Sequence, residues 1–353
     1  MSARQQSRPA LPRRDFLQGA GALAAGGVIL GASAQIARSA HVAENSELKV
    51  AVIGCGGRGA GAALQALEAK GPVAVVALAD AFEPNLQACL RALEEKCAQG
   101  KAENHPLLSD SKVDCPPERQ FVGFDAYKKA LAVESDVVIL ATPPGFRPLH
   151  FQAAVEAGKH VFAEKPVAVD APGVRLFMAA NEQAKQKNPM APTGLQPPHD
   201  PPGVETTPRI HGGAIGDVVA TRVYWNSGGL WIRIREPGDT EMTYQMRKWY
   251  YFHWLCGDHF VEQHIHNLDV GNWIVGGPDG GAHPVECHAM GGRQVRTGKD
   301  VGQIFDHFAA EYSYADGTKM FSQARHINGC WNEVGEHAHG TNGHAEVSRF
   351  RIF

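Results

Sequence analysis

The sequence predicts an α/β protein: a doubly wound parallel sheet in the amino-terminal half, followed by a separate α+β unit. Three observations carry this reading. Between residues 48 and 196, apolar runs of strand length alternate with helix-patterned segments, the signature of β-α-β units. The first run leads straight into G-x-G-x-x-G at Gly54, Gly56 and Gly59. From residue 197 onward the pattern shifts to alternating stretches around an Asp316-Gly317 turn, which suits hairpins. A chain of 353 residues has room for two such cores.

What precedes residue 48 reads as an address. Arg13-Arg14-Asp15-Phe16-Leu17 stands before a weakly apolar Gly/Ala run that ends at Ala32-Ser33-Ala34. This is the pattern of a twin-arginine export signal over residues 1–34, with 35–47 as a linker. The run is too short and too small-residued to span a bilayer. The expected partner is the twin-arginine machinery, which moves folded proteins. The expected destination is periplasmic or extracellular, with no membrane attachment in the mature form. Formal net charge is −3 and no long basic run occurs, which argues against nucleic acid. Seven cysteines are scattered without C-x-x-C, so neither a zinc ribbon nor a redox dithiol is signalled.

The strand at 48–53 hands the chain to the glycine loop, where Gly57 and Arg58 lie inside the motif. Glycines there permit a tight turn and close approach of a pyrophosphate to a helix N-terminus. The second strand ends at Asp80, where a carboxylate accepts the adenosine ribose hydroxyl and repels a 2′-phosphate. NAD is therefore favoured over NADP, with Arg58 as the residue that keeps NADP open. A helix follows over 82–97, a short strand at 120–122 and a helix over 123–131. Residues 136–144 read as a fully buried strand, as parallel sheets require. Thr142, Pro143 and Pro144 stand at its carboxyl end, where open α/β sheets bind ligands. Helices over 146–158 and 171–187 flank a strand at 160–166, and 190–196 closes a set of six strands. This gives a dinucleotide-binding domain over 48–196 and a second domain over 197–353.

In the second domain, 218–226 alternates like a strand, 284–295 and the hairpin around Asp316-Gly317 follow, and 344–353 reads as a final strand. Five prolines fall within 197–208. Proline lacks the N–H a helix needs, so this segment is expected to be an irregular loop. Aromatic residues crowd the stretch from Trp231 to Trp254. Trp249 and Tyr251 are candidates for stacking on a sugar ring, since they pair flat apolar faces with polar tips.

Residues 259–269 read HFVEQHIHNLD. One helix capped by Asp258 is expected, with Glu262 and His266 one turn apart and His259 on the same face. Metal binding was weighed for this cluster, but Gln263 breaks the H-x-x-E-H pattern. The alternative is a carboxylate that orients and tunes an imidazole.

Taken together, G-x-G-x-x-G, Thr142-Pro143-Pro144, Glu164-Lys165-Pro166 and the Glu262/His266 spacing resemble the glucose-fructose oxidoreductase/inositol dehydrogenase/MocA (Gfo/Idh/MocA) family. The GGLW, WYYF and VEQHIHNLDVGNW stretches are similar to its exported members. The resemblance implies a carboxyl-terminal domain with an open, mainly antiparallel sheet that forms dimer or tetramer faces. It implies that Lys165 lies near the nicotinamide, that Glu164 orients it, and that Gln196 belongs to the cofactor site. His266 would be the general base, Glu262 its partner, and His259 a weaker substrate-side candidate. Metal does not figure in this scheme. Two departures stand out. A basic pair that usually follows Gly194-Leu195-Gln196 is replaced by prolines, and relatives continue beyond the strand that ends at Phe353.

The function implied is hydride transfer between a tightly held, recycled NAD and a sugar, polyol or related carbohydrate. Two rivals remain open at this point. One is an NAD-dependent glycoside hydrolase that resembles the α-N-acetylgalactosaminidases and uses transient oxidation and elimination. The other is a non-catalytic sugar-binding remnant.

Overall fold

A computed structural model describes residues 47–187, 189–195, 201–277, 282–298 and 301–353. The segment 1–34 expected to be an export signal, its linker up to residue 46, and Gln196 lie outside the described residues. The first sheet is built from β1 (Leu48–Ile53), β2 (Val73–Asp80), β3 (Lys112–Val113), β4 (Gln120–Val122), β5 (Val137–Leu140) and β6 (His160–Ala163). All pairings are parallel, in the order β3-β2-β1-β5-β6, with β4 also on β2.

Side-chain alternation decides what each face holds. Val50, Val52, Val73, Val75 and Leu78 pack under α1 (Gly57–Leu67) and α2 (Glu83–Ala102). Ala51, Ile53, Ala77 and Ala79 pack under α3 (Ala126–Ala132), α4 (Arg147–Glu156) and α5 (Ala171–Lys187). All eight residues of β2 are buried, so its sequence is apolar throughout rather than alternating. Each large aliphatic side chain buried this way contributes about 1.5–3 kcal/mol. Strand order reverses between β1 and β5, and the crevice at the carboxyl ends of those strands is where such sheets bind ligands.

The second sheet runs β13-β12-β11-β7-β10-β9-β8. Its strands are β7 (Val218–Ser227), β8 (Glu286–Gly292), β9 (His307–Ser313), β10 (Lys319–His326), β11 (Glu333–Gly340), β12 (His344–Glu346) and β13 (Arg351–Ile352). Only the β7–β10 pair is parallel. On β10, Met320, Ser322, Ala324 and His326 are buried while Phe321 and Gln323 are exposed, the period-two mark of a sheet covered on one face. The covering elements are α6 (Pro201–His211) and α10 (Ile265–Gly276), whose Ile210, Val270 and Ile274 meet Ala338, Ala345 and Val347. Gly271 lets α10 lie close, since a Cβ there would sit 2.4 Å from the Met320 sulfur.

The short helices α7 (Glu241–Arg247), α8 (His253–Cys256) and α9 (Asp258–Glu262) bridge the two sheets. Tyr244, Leu255, and Tyr250 and Tyr251 of the intervening 3-10 turn (Trp249–Tyr251) share a cluster with Phe82 and Phe146 at the carboxyl edge of the first sheet. Gly145 donates its N–H to the Leu255 carbonyl at 2.9 Å. This aromatic segment therefore walls one side of the crevice. No described helix is long and apolar enough to cross a membrane.

Four local expectations are corrected. Residues 259–269 form two helices instead of one, and Asp258, at φ +71°, opens α9 rather than capping it. The Gln263 and His264 N–H groups converge on the His259 carbonyl before α10 begins. Glu262 is buried towards Lys165 and His264 towards Ser322 on β10. Residues two apart point nearly opposite ways on a helix, and the break lets each reach its partner. The expected proline loop at 197–208 is helical from Pro201 on. Pro201 and Pro202 occupy its first turn, where no N–H is needed, and only Pro208 interrupts its interior. The strand expected at 190–196 is, among its described residues 190–195, a single bridge from Ala163 to Thr193, since Pro192 lacks a ladder donor; β3 is an addition to the expected set. Residues 344–353 are a bend, not one strand. β12 and β13 pair antiparallel around Phe350 at φ +54°.

Candidate active site

The crevice at the β1/β5 ends holds a cavity of about 680 Å³. Gly54, at φ +98°, leaves β1 so close to β5 that a Cβ would lie 2.6 Å from the Thr142 nitrogen. Gly59 has the same duty inside α1, because its Cβ would lie 1.7 Å from the Gly54 carbonyl oxygen. Gly56 and Gly57 are different. A Cβ on either would meet nothing within 4 Å, so both face the open cavity at the N-terminus of α1. That is the cradle a pyrophosphate requires. Asp80 is buried beside it. Its carboxylate accepts from the Cys55 N–H at 2.7 Å, the Phe82 N–H at 2.8 Å and the Asn85 amide at 3.3 Å. Burial pushes its pKa up and these donors oppose the shift. The residues present fit a dinucleotide.

Five charged side chains meet across the cavity floor. Arg58 pairs with Glu164 at 2.6 Å. The Lys165 ammonium donates to both the Glu262 carbonyl and, at 2.9 Å, to Glu262 Oε1. The other oxygen, Oε2, is buried with no hydrogen-bond partner among the described residues. Burial raises the Glu262 pKa, against the lowering influence of Lys165 and Arg147. Arg147 is itself buried, and desolvation brings its pKa down to about 10. Its guanidinium donates to the Pro166 carbonyl at 2.6 Å and to the Thr142 carbonyl. It thereby ties the end of β5 to the turn that follows Lys165. His150, stacked on Tyr127 and hydrogen-bonded to Thr142, has its pKa lowered to about 4 by burial and by Arg147.

Most of the sequence-derived residues converge. Gly54, Gly56, Gly57, Arg58, Asp80, Thr142, Pro143, Pro144, Glu164, Lys165, Glu262 and Trp249 all line the cavity. Gly59 serves packing instead. Three residues are placed elsewhere. Tyr251 is buried, with its hydroxyl on the Trp231 carbonyl at 2.8 Å. His259 is fully buried, held by Asp258 at 3.0 Å and set against the His326 ring at a 37° tilt with centroids 4.3 Å apart. Neither reaches the cavity as a substrate contact. His266 lies across the helix break from Glu262, near-parallel to the Trp225 ring at 6.1 Å, and lines a second, smaller cavity. The paired Glu262/His266 face is thus corrected: Glu262 pairs with Lys165. Arg147 was missed. Its signal was present, because 147, 150, 151 and 154 form a buried helical stripe into which an arginine intrudes.

Residues 48–188 match the family model described as oxidoreductase family, NAD-binding Rossmann fold, of the Gfo/Idh/MocA group. No curated protein matches the chain in sequence. Among solved structures, myo-inositol 2-dehydrogenase from Lactobacillus plantarum aligns with a TM-score of 0.61 at 20% identity, covering 86% of this chain and 77% of that one. The WlbA dehydrogenase from Bordetella pertussis, in complex with NADH and UDP-GlcNAcA, aligns at 0.61 and 19%, covering 87% and 76%. An aldose-aldose oxidoreductase from Caulobacter crescentus aligns at 0.60 and 17%, covering 85% and 76%. These likenesses are of fold. With the glycine cradle, Asp80 and Lys165 in the matched region, residues 48–188 are similar to the NAD-binding Rossmann domain of the Gfo/Idh/MocA oxidoreductases.

Proposed function

We propose that this chain is an NAD-dependent oxidoreductase acting on a secondary hydroxyl of a sugar, polyol or related carbohydrate. The observation that carries the reading is the Lys165–Glu262 couple at the cofactor cavity, with Glu262 Oε2 buried and open. When bound, the nicotinamide supplies the hydride acceptor or donor. The chain's own groups handle the rest. Backbone N–H groups at Gly56 and Gly57 would hold the pyrophosphate, and Asp80 would receive the adenosine ribose. The Lys165 ammonium stabilises negative charge that develops on the reacting oxygen. Glu262 Oε2, unpartnered and at the cavity, is the acceptor for the hydroxyl proton; burial raises its pKa against the lowering influence of Lys165. Arg147 anchors the turn after Lys165 to the end of β5. NAD is favoured over NADP, since Asp80 opposes a 2′-phosphate and Arg58 is engaged by Glu164.

The export reading of residues 1–34 adds a constraint. Free NAD is scarce outside the cytoplasm, so we infer a tightly held cofactor that is recycled within one catalytic cycle. Mass spectrometry of protein purified without added cofactor should find one dinucleotide per chain. Absorbance of reduced nicotinamide, followed with a panel of polyols and sugars, tests the reaction. Net reduction identifies a dehydrogenase; release of an aglycone without net reduction identifies the hydrolase alternative. Lys165→Ala should retain NAD and lose turnover. Full turnover in that variant would remove Lys165 from the chemistry.

A further inference from the structure

The carboxyl-terminal half contains a second cavity, of about 230 Å³. Its walls include Gly203 of α6, Trp225 of β7, His266 and Asn267 of α10, Glu336 of β11, and Ser348. The charge on Glu336 is the unusual feature. This residue is only 5% exposed. Its oxygens accept from the Asn267 amide at 2.6 Å and the Ser348 hydroxyl at 2.5 Å, and both donors are neutral. His337, next along the strand, takes the opposite side and pairs with Glu333 at 2.9 Å. Among the described residues Glu336 therefore has no ion-pair partner.

A buried carboxylate without a cation is costly, and burial does raise its pKa. A cation entering the cavity would offset that cost. The adjoining wall is suited to one: Trp225 pairs with Val334, two residues before Glu336 and on the same sheet face, it is only partly buried, and an indole face attracts ammonium groups. A metal ion is a poor occupant. Among the described residues no group of three or more His, Cys, Asp or Glu side chains converges here, too few for a tetrahedral site. The volume falls below the range typical of drug-sized ligands, so the occupant has about one six-membered ring.

We propose that this cavity binds the ammonium group of a small hydroxylated amine, with Glu336 as counter-ion and Trp225 as the cation-facing wall. Hydroxyl groups on the same ligand meet Asn267, Ser348 and the His266 ring. The site is separate from the cofactor cleft and stands whether or not the proposed redox reaction is correct.

The test is calorimetric titration of the whole chain with glucosamine, glucose and N-acetylglucosamine at neutral pH. Glucosamine should bind at least about tenfold tighter than the other two. Glu336→Gln keeps the shape and one of the two acceptor oxygens but removes the charge. It should reduce the preference to below about threefold while leaving the NAD titration unchanged and the fold intact by circular dichroism. If that variant misfolds, Trp225→Leu serves, with an expected loss of about fivefold for glucosamine. Equal binding of all three sugars, no binding, or a preference that survives the substitution would overturn the proposal. A chain that ignores NAD yet prefers glucosamine would reject the redox reading and leave this one intact.

Discussion

Replacing Lys165 by Met isolates the value of the ion pair at the cavity floor. The two side chains are 17% and 9% exposed, and their charges are 2.9 Å apart. At an effective dielectric of about 20 the attraction is roughly 6 kcal/mol before desolvation. Part of that is offset by the cost of burying both charges, but removing one partner leaves the other uncompensated, typically at about 3–5 kcal/mol. Glu262 can escape the penalty by taking up a proton. Its folded-state pKa is already raised by burial, and the loss of Lys165 removes the largest opposing influence. The native state of the variant then binds more protons than the unfolded chain, so its stability falls as pH rises from the ordinary value of 4.5 through the folded one. Urea unfolding of cofactor-free protein should show a loss of about 3–5 kcal/mol at pH 8, shrinking to about half at pH 5. Adding Glu262→Gln should recover about 2 kcal/mol at pH 8. Equal losses at both pH values, together with additive single substitutions, would mean that the pair is hydrated and refute the reasoning.

Three further outcomes are expected. Gly56→Ala should leave stability within about 1 kcal/mol, because Gly56 has φ −68° and its Cβ meets nothing. The same change should weaken NAD by more than tenfold in a fluorescence titration, whereas Gly59→Ala, with its 1.7 Å clash, should cost about 1–3 kcal/mol or more in urea. Arg147→Met strands the Thr142 and Pro166 carbonyls and should cost about 2–5 kcal/mol; Arg147→Lys should recover part of this. His150, His264 and His326 are buried and neutral, with pKa values lowered to about 4. The unfolded chain takes up their protons first, so stability should be lost as pH falls from about 6.5 towards 4. Histidine proton resonances that titrate near 6.5 in the folded protein would contradict this.

The parallel half of the fold was legible because its signals are local. An apolar run, a glycine loop and a carboxylate or a Thr-Pro-Pro turn at a strand end are each read within a few residues, and eight of the cofactor residues so named line one cavity, joined there by Glu164 and Lys165, which the family resemblance supplied. The helix at 259–269 misled because its period is correct but its partners are not. Whether Glu262 faces His266 or Lys165 depends on a strand end about a hundred residues away, which no helical wheel reports. The prolines at 201 and 202 misled for the opposite reason, since their effect depends on position within a helix that had not been drawn. Arg147 was visible as an arginine in an apolar stripe, but its two carbonyl partners come from turns that only the folded chain brings together.

The parallel partner of β7 bears on how the protein is made. Ala220 pairs with Lys319 on one side and His339 on the other, so this central strand waits for sequence synthesised about a hundred residues later. The first sheet has no such debt, since all its strands come from Leu48–Ala163. On a ribosome the nucleotide-binding layer should mature while β7 is still unzipped, exposing its sticky edges to chaperones. The bond between Lys165 and Glu262 then joins an early-born layer to a segment made about a hundred residues later, and the couple can form only after both have left the ribosome.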